Sequence, residues 1–186
     1  MFKVSEILSC ITEEAPLCWQ ESYDNSGLLI GDSNALVDKV LLSLDVTEEV
    51  IDEAINNSFH MIISHHPLIF KGVKNILADD ATGKMIMKAI KHDISIAAMH
   101  TNIDNSFYGV NRVLAEKLGL RDLNILHLNN SATWRLDDSA TQIGSGMIGV
   151  LENEMSELDF LKMIKEKLNV PSIRHSKLLN KNIRKV

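Results

Sequence analysis

Apolar residues in the first part of the chain follow two alternating rhythms. Val4, Ile7, Leu8 and Ile11 recur at helical spacing and predict a helix over Val4–Ala15, which Pro16 ends. Short unbroken apolar runs then alternate with further helical stretches. Leu28–Ile30, Val40–Val46, Met61–Ser64 and Ile94–Met99 read as strands. Helices are expected from a Thr47 cap to about Asn57, over Ala81–Lys91, and over Val110–Leu118, where Gly119 closes the last turn. Strands alternating with helices specify an α/β layer with a largely parallel sheet flanked by helices, here over residues 1–122.

Beyond Leu120 the pattern changes. Leu123–Leu128 reads as a strand, Asn129–Asp138 as a polar loop, and Gly144–Leu151 as a glycine-rich strand. The glycines lack the G-x-G-x-x-G order and open onto no helix, so they are not a phosphate loop. Ser156 and Asp159 form a capping pair for a helix to Leu168, and Arg174–Val186 reads as strand material. Residues 123–186 are therefore expected to form a second, smaller and partial α/β domain. The chain holds no internal repeat and no low-complexity linker.

Composition narrows the function. The chain has 186 residues, 45% of them hydrophobic and 24% charged, the usual mix of a globular protein. A net charge of −6, with a basic cluster only at Lys181–Lys185, argues against nucleic acid as a partner. No apolar run has transmembrane length and the first residues lack a signal-peptide layout, so a cytoplasmic location is expected and no membrane partner. Cys10 and Cys18 have no Cys-x-x-Cys spacing and are expected to be reduced, packed thiols. Any metal must then be held by histidine and carboxylate.

Such residues gather at the ends of the expected strands. Met61–Ser64 runs directly into His65-His66-Pro67, and Ile94–Met99 into His100, with Asp104 four residues on. Asp45 sits at the carboxyl end of the strand Val40–Val46. Ligands of open α/β sheets bind outside the carboxyl ends of the strands, so these residues are expected at one edge. Neutral imidazole is a common ligand of divalent metals, and a carboxylate can bridge two ions. The candidate metal ligands are His65, His66 and Asp104. His100 and Asp45 are candidates for ligation or for orienting the ligands, with a turn or capping role as the other reading of Asp45. Ser64 and Thr101 are candidate hydrogen-bond partners of the imidazoles. Adjacent residues of an extended chain point to opposite sides, so His65 and His66 are expected to address two ions, or one to bind while the other packs. His60, His92, His127 and His175 read as ordinary isolated histidines.

Four stretches carry a further signal: Tyr23-Asp24-Asn25-Ser26-Gly27-Leu28-Leu29-Ile30-Gly31-Asp32, Leu44-Asp45-Val46-Thr47, Ile63-Ser64-His65-His66-Pro67-Leu68-Ile69-Phe70 and His100-Thr101-Asn102-Ile103-Asp104. In this order they resemble the motif series of the GTP cyclohydrolase 1 type 2, or NIF-like dinuclear-metal hexamer, family. The resemblance spans essentially the whole chain. Tyr23 stands where the family has tryptophan. The resemblance implies a two-subdomain α/β fold, two divalent metal ions per subunit and hexamers built from dimers. It assigns His65, His66 and Asp104 as ligands, with His100 at or beside the site. It also implies that the remaining ligands, a helical His-x-x-x-Glu pair, come from a segment beyond the equivalent of Val186.

The expected function is a di-metal hydrolase acting on a nucleotide-like substrate, with His100 or Asp45 assisting proton transfer. The alternative is a non-catalytic metal-binding scaffold or regulatory hexamer. Zinc, iron, manganese and nickel are not distinguished by these ligands.

Overall fold

The structure is a computed structural model and describes residues 1–129 and 143–186; the polar loop expected over 129–138 falls, from residue 130 on, outside the described residues. Two compact units make up the chain, Met1–Ile103 and Asp104–Val186. The second unit thus begins upstream of the 122/123 division expected from the sequence. The helix Val110–Leu118 packs on the strands and helix of that second unit and belongs with them.

In the first unit the elements run β1 (Phe2–Lys3), α1 (Val4–Glu14), β2 (Gly27–Ile30), β3 (Leu36–Val37), β4 (Val40–Ser43), α2 (Glu48–Asn56), β5 (Met61–Ser64), α3 (Ala81–Lys91), β6 (Ser95–Ala98) and α4 (Thr101–Asp104), the last reaching into the second unit. Four strands form one sheet in the order β2-β6-β5-β4. The pairs β4–β5 and β5–β6 are parallel, and β2 adds to β6 antiparallel, so the sheet is largely parallel with one reversed edge.

Burial on both faces explains the unbroken apolar runs. All four residues of β5 and of β6 are buried. Ile62 and Ile96 pack with Ile51, Ala54, Ile86 and Ala89 of α2 and α3 on one face. Met61, Ile63 and Ala97 face the other way, against Val4 and the stripe Ile7, Leu8 and Ile11 of α1. Each isoleucine buried in this way contributes about 1.5–3 kcal/mol over an exposed position. Thr47 caps α2 by accepting the Val50 N–H, and Asp80 caps α3 by accepting the Gly83 N–H. Cys10 and Cys18 are free thiols as expected, but both are exposed rather than packed. Cys10 lies off the buried stripe of its helix.

The second unit holds α5 (Val110–Leu118), β7 (Arg121–Leu128), β8 (Gly144–Ser156), α6 (Glu157–Leu168) and β9 (Asn182–Lys185). Its sheet is antiparallel in the order β7-β8-β9. Gly119 ends α5 at φ +81°, the left-handed conformation that a glycine adopts without strain. Ser156 caps α6 through the Asp159 N–H. The basic residues Arg184 and Lys185 lie on edge strand β9, and of the expected final strand Asn182–Lys185 pair in the sheet, with Val186 continuing the ladder to Gly149. Among the described residues no helix is long and apolar enough to cross a membrane.

Candidate metal centre

Strand register builds the site. Ser43, Ser64 and Ala98 are level partners across β4, β5 and β6. The next residues continue the ladder: His65 N–H donates to Ser43 O (3.2 Å), His66 N–H to Leu44 O (2.9 Å) and Met99 N–H to Ser64 O (2.9 Å). Asp45, His66 and His100 are each two residues past that level row, so three parallel strands deliver them to one edge. Reversed strand β2 pairs Gly27 with Ala98, which brings Asp24–Ser26 to the same edge from the opposite chain direction.

Three imidazoles meet there. One ligand-capable nitrogen from each of His65, His66 and His100 lies within 4.8 Å of the others. The ring centroids of His65 and His66 are 4.9 Å apart, those of His65 and His100 5.2 Å, and those of His66 and His100 5.6 Å. The expectation that His65 and His66 face opposite ways is corrected here. Strand alternation stops at Ser64, and the chain bends at the two histidines. Ser64 Oγ–H donates to the His66 carbonyl at 2.8 Å across that bend.

Each Nδ1 faces an acceptor. His65 Nδ1 lies 2.9 Å from Met99 O, His66 Nδ1 2.7 Å from Asp45 Oδ1, and His100 Nδ1 2.7 Å from Asp24 Oδ1. A carbonyl or carboxylate oxygen can only accept, so each Nδ1 carries its proton. In the neutral ring the lone pair is then on Nε2, which is the form that binds a metal ion. Anchoring the second ring nitrogen in this way is the usual means of orienting a metal-ligating histidine. The donor set therefore fits a divalent ion.

The anchors differ. Asp45 is an exposed carboxylate on a half-exposed histidine. The Asp24 side chain is fully shielded from solvent. Its Oδ1 accepts from His100 Nδ1–H and the Asn25 N–H; its Oδ2 accepts from Ser26 Oγ–H at 3.0 Å, the Thr101 N–H at 3.0 Å and Thr101 Oγ–H. Burial raises the Asp24 pKa, but the hydrogen bonds from His100, Thr101 and Asn25 outweigh it and hold the carboxyl well below the usual carboxylate range. Thr101 thus acts on the carboxylate that holds His100. Ser26 Oγ also accepts the His100 N–H at 3.3 Å, and Asn25 Nδ2–H donates to Ile69 O at 2.6 Å, tying the turn to the loop after His66.

Asp24 stands in one of the four motif stretches, but sequence reasoning gave it no role and missed this one. The available signal was three consecutive short polar side chains, more than a turn requires, ahead of a buried strand. Asp104, four residues after His100, is the last residue of α4 and the first of the second unit; its carbonyl accepts from Asn111 Nδ2–H at 3.1 Å. One aromatic ring, Phe70, stands beside the imidazoles, and Tyr23 stands beside Phe70. Phe70 lies 6.1 Å from His100 and 6.4 Å from Tyr23 between centroids, both edge to face.

A mixed α/β protein with a histidine cluster at its strand ends that could hold a metal ion is the class these features define. Comparison with known proteins agrees: the model of the family described as Duf34/NIF3 (NGG1p interacting factor 3) matches residues 2–186, and the chain belongs to that family. A Staphylococcus aureus (strain Mu50) relative called GTP cyclohydrolase 1 type 2 homolog is 41% identical over 155 residues, covering 83% of this chain and 41% of the relative. A relative of the same name from Clostridium acetobutylicum is 36% identical over 173 residues, covering 93% and 62%. The chain thus spans about two fifths to three fifths of the length of these curated relatives. Among solved structures, Staphylococcus aureus protein SA1388 superposes with a TM-score of 0.86 at 33% identity, covering 99% of this chain and 71% of that one. A Bacillus cereus protein related to NIF3 gives 0.87 at 29%, covering 99% and 75%.

Proposed function

We propose that His65, His66 and His100 hold divalent metal through their Nε2 atoms, and that the centre serves hydrolysis of a nucleotide-like substrate. The observation that carries this reading is the uniform anchoring of all three Nδ1 atoms on acceptors. Asp104 is the carboxylate we propose as a further ligand, able to bridge a second ion; its place four residues after His100 in the motif supports this. Ions held there would act as Lewis acids toward water and phosphate or carbonyl oxygens. The chain's own residues orient the rings: Asp45 holds His66, Met99 O holds His65, and Asp24 holds His100. The nucleotide-like substrate is supported by the name the relatives carry, GTP cyclohydrolase 1 type 2 homolog.

Self-association into a dimer-based hexamer, in the cytoplasm, belongs to the same proposal. Its support is the family resemblance and the edge strand β4, where Leu42 and, just beyond, Leu44 are 73% and 61% exposed. The second reading is a metal-holding scaffold or regulatory hexamer without turnover. The exposure of the His66–Asp45 side, with side chains 47% and 57% exposed, favours it, because the electrostatic stabilisation that drives turnover is weaker where solvent screens it.

Incubating the purified chain with GTP and Zn²⁺, Mn²⁺ or Fe²⁺ separates the two. Metal-dependent loss of GTP that His65→Ala abolishes supports the hydrolase. Metal bound at the cluster with no turnover overturns it in favour of the scaffold.

A further inference from the structure

Asp24 is surrounded by donors alone. Five groups face its two oxygens: His100 Nδ1–H and the Asn25 N–H at Oδ1, and the Thr101 N–H, Thr101 Oγ–H and Ser26 Oγ–H at Oδ2. Two of the five are backbone N–H groups, one at each oxygen, and cannot turn away. The hydroxyls are committed as well. Thr101 Oγ accepts the Glu21 N–H at 2.9 Å and Ser26 Oγ accepts the His100 N–H, so each must aim its own proton elsewhere, and Asp24 is the acceptor.

An amide at this position would fail in either orientation. With its NH₂ at the Oδ2 place it would confront the Thr101 N–H. With its NH₂ at the Oδ1 place it would confront the Asn25 N–H and would favour the His100 tautomer with a bare Nδ1. That tautomer puts the proton on Nε2 and removes the lone pair that faces the cluster. The contrast with Asp45 is direct. Asp45 accepts from His66 and is open to solvent, without the ring of donors that encloses Asp24.

We propose that Asp24 is a positioning residue: as an obligate two-oxygen acceptor it locks His100 in the Nδ1–H form and keeps Nε2 free to ligate or to take a proton. The consequence for metal rests on the metal-centre reading above; the lock on the tautomer does not. Changing a group that orients a ligand typically lowers metal affinity about 10–100-fold.

The test is performed on the full chain, first without metal. Nitrogen-15 correlation spectra of the imidazoles, above the pH at which His100 loses its second proton, are expected to show His100 with its proton on Nδ1. A wild-type His100 protonated on Nε2 overturns the proposal without any variant being made. In Asp24→Asn the Nε2–H form is expected to grow, and Co²⁺ affinity, measured by competition with a chromophoric chelator, to fall about 10–100-fold. In a His100→Ala background Asp24→Asn is expected to cost no further affinity, because its effect passes through that ring. An Asp24→Asn protein that melts lower but keeps the wild-type tautomer shows a merely structural carboxylate and overturns the proposal. If wild type binds no Co²⁺, the metal reading fails, and the tautomer spectra still decide the role of Asp24.

Discussion

His66 Nδ1 lies 2.7 Å from Asp45 Oδ1, although the two residues follow different strands and are 21 apart in sequence. The contact follows from parallel register: Ser43 pairs with Ser64, and each residue is two positions further on. A carboxylate placed by backbone pairing fixes the ring without a dedicated loop.

Asp45→Ala removes that anchor. Because both side chains are half exposed, folding stability should change by less than about 1 kcal/mol in urea unfolding. Co²⁺ affinity should fall about tenfold, since the freed His66 ring samples other orientations. Chelator competition on the variant checks the second figure, and an unchanged affinity would remove Asp45 from the account.

Much of this was legible in the sequence because burial on two faces writes itself as unbroken apolar runs. Met61–Ser64 was read to the residue, as were α3 and α5. The gathering of His65, His66 and His100 followed from strand ends alone. Side-chain direction past Ser64 did not, because period-2 alternation applies only while the strand lasts. The pairing of Phe2–Lys3 with Leu36–Val37 was invisible, since two residues carry no period. The role of Asp24 depends on register with β6, which no local pattern encodes.

Gly31, just past β2, sits at φ +115°. A Cβ there would stand 2.8 Å from the Ser95 Cα, closer than real contacts allow. Gly31→Ala should therefore cost about 1–3 kcal/mol from backbone strain alone, with the clash adding to it. Thermal and urea unfolding of the variant measure the loss, and a variant as stable as wild type would contradict the packing of β2 against β6.

Thr47 opens α2 two residues after Asp45, and its hydroxyl accepts the Val50 N–H at 3.3 Å. Thr47→Ala should destabilise the protein by about 1 kcal/mol, and Thr47→Ser should restore most of it. Denaturant midpoints of the pair report whether the cap, rather than the methyl group, is responsible.

The central claim, that the three imidazoles hold metal through Nε2, is tested most directly by anomalous diffraction at the zinc edge from crystals of the chain grown with Zn²⁺. The account predicts a peak about 2.0–2.1 Å from the Nε2 atoms of His65, His66 and His100. A peak coordinated by Nδ1, or zinc bound only elsewhere on the protein, would contradict it.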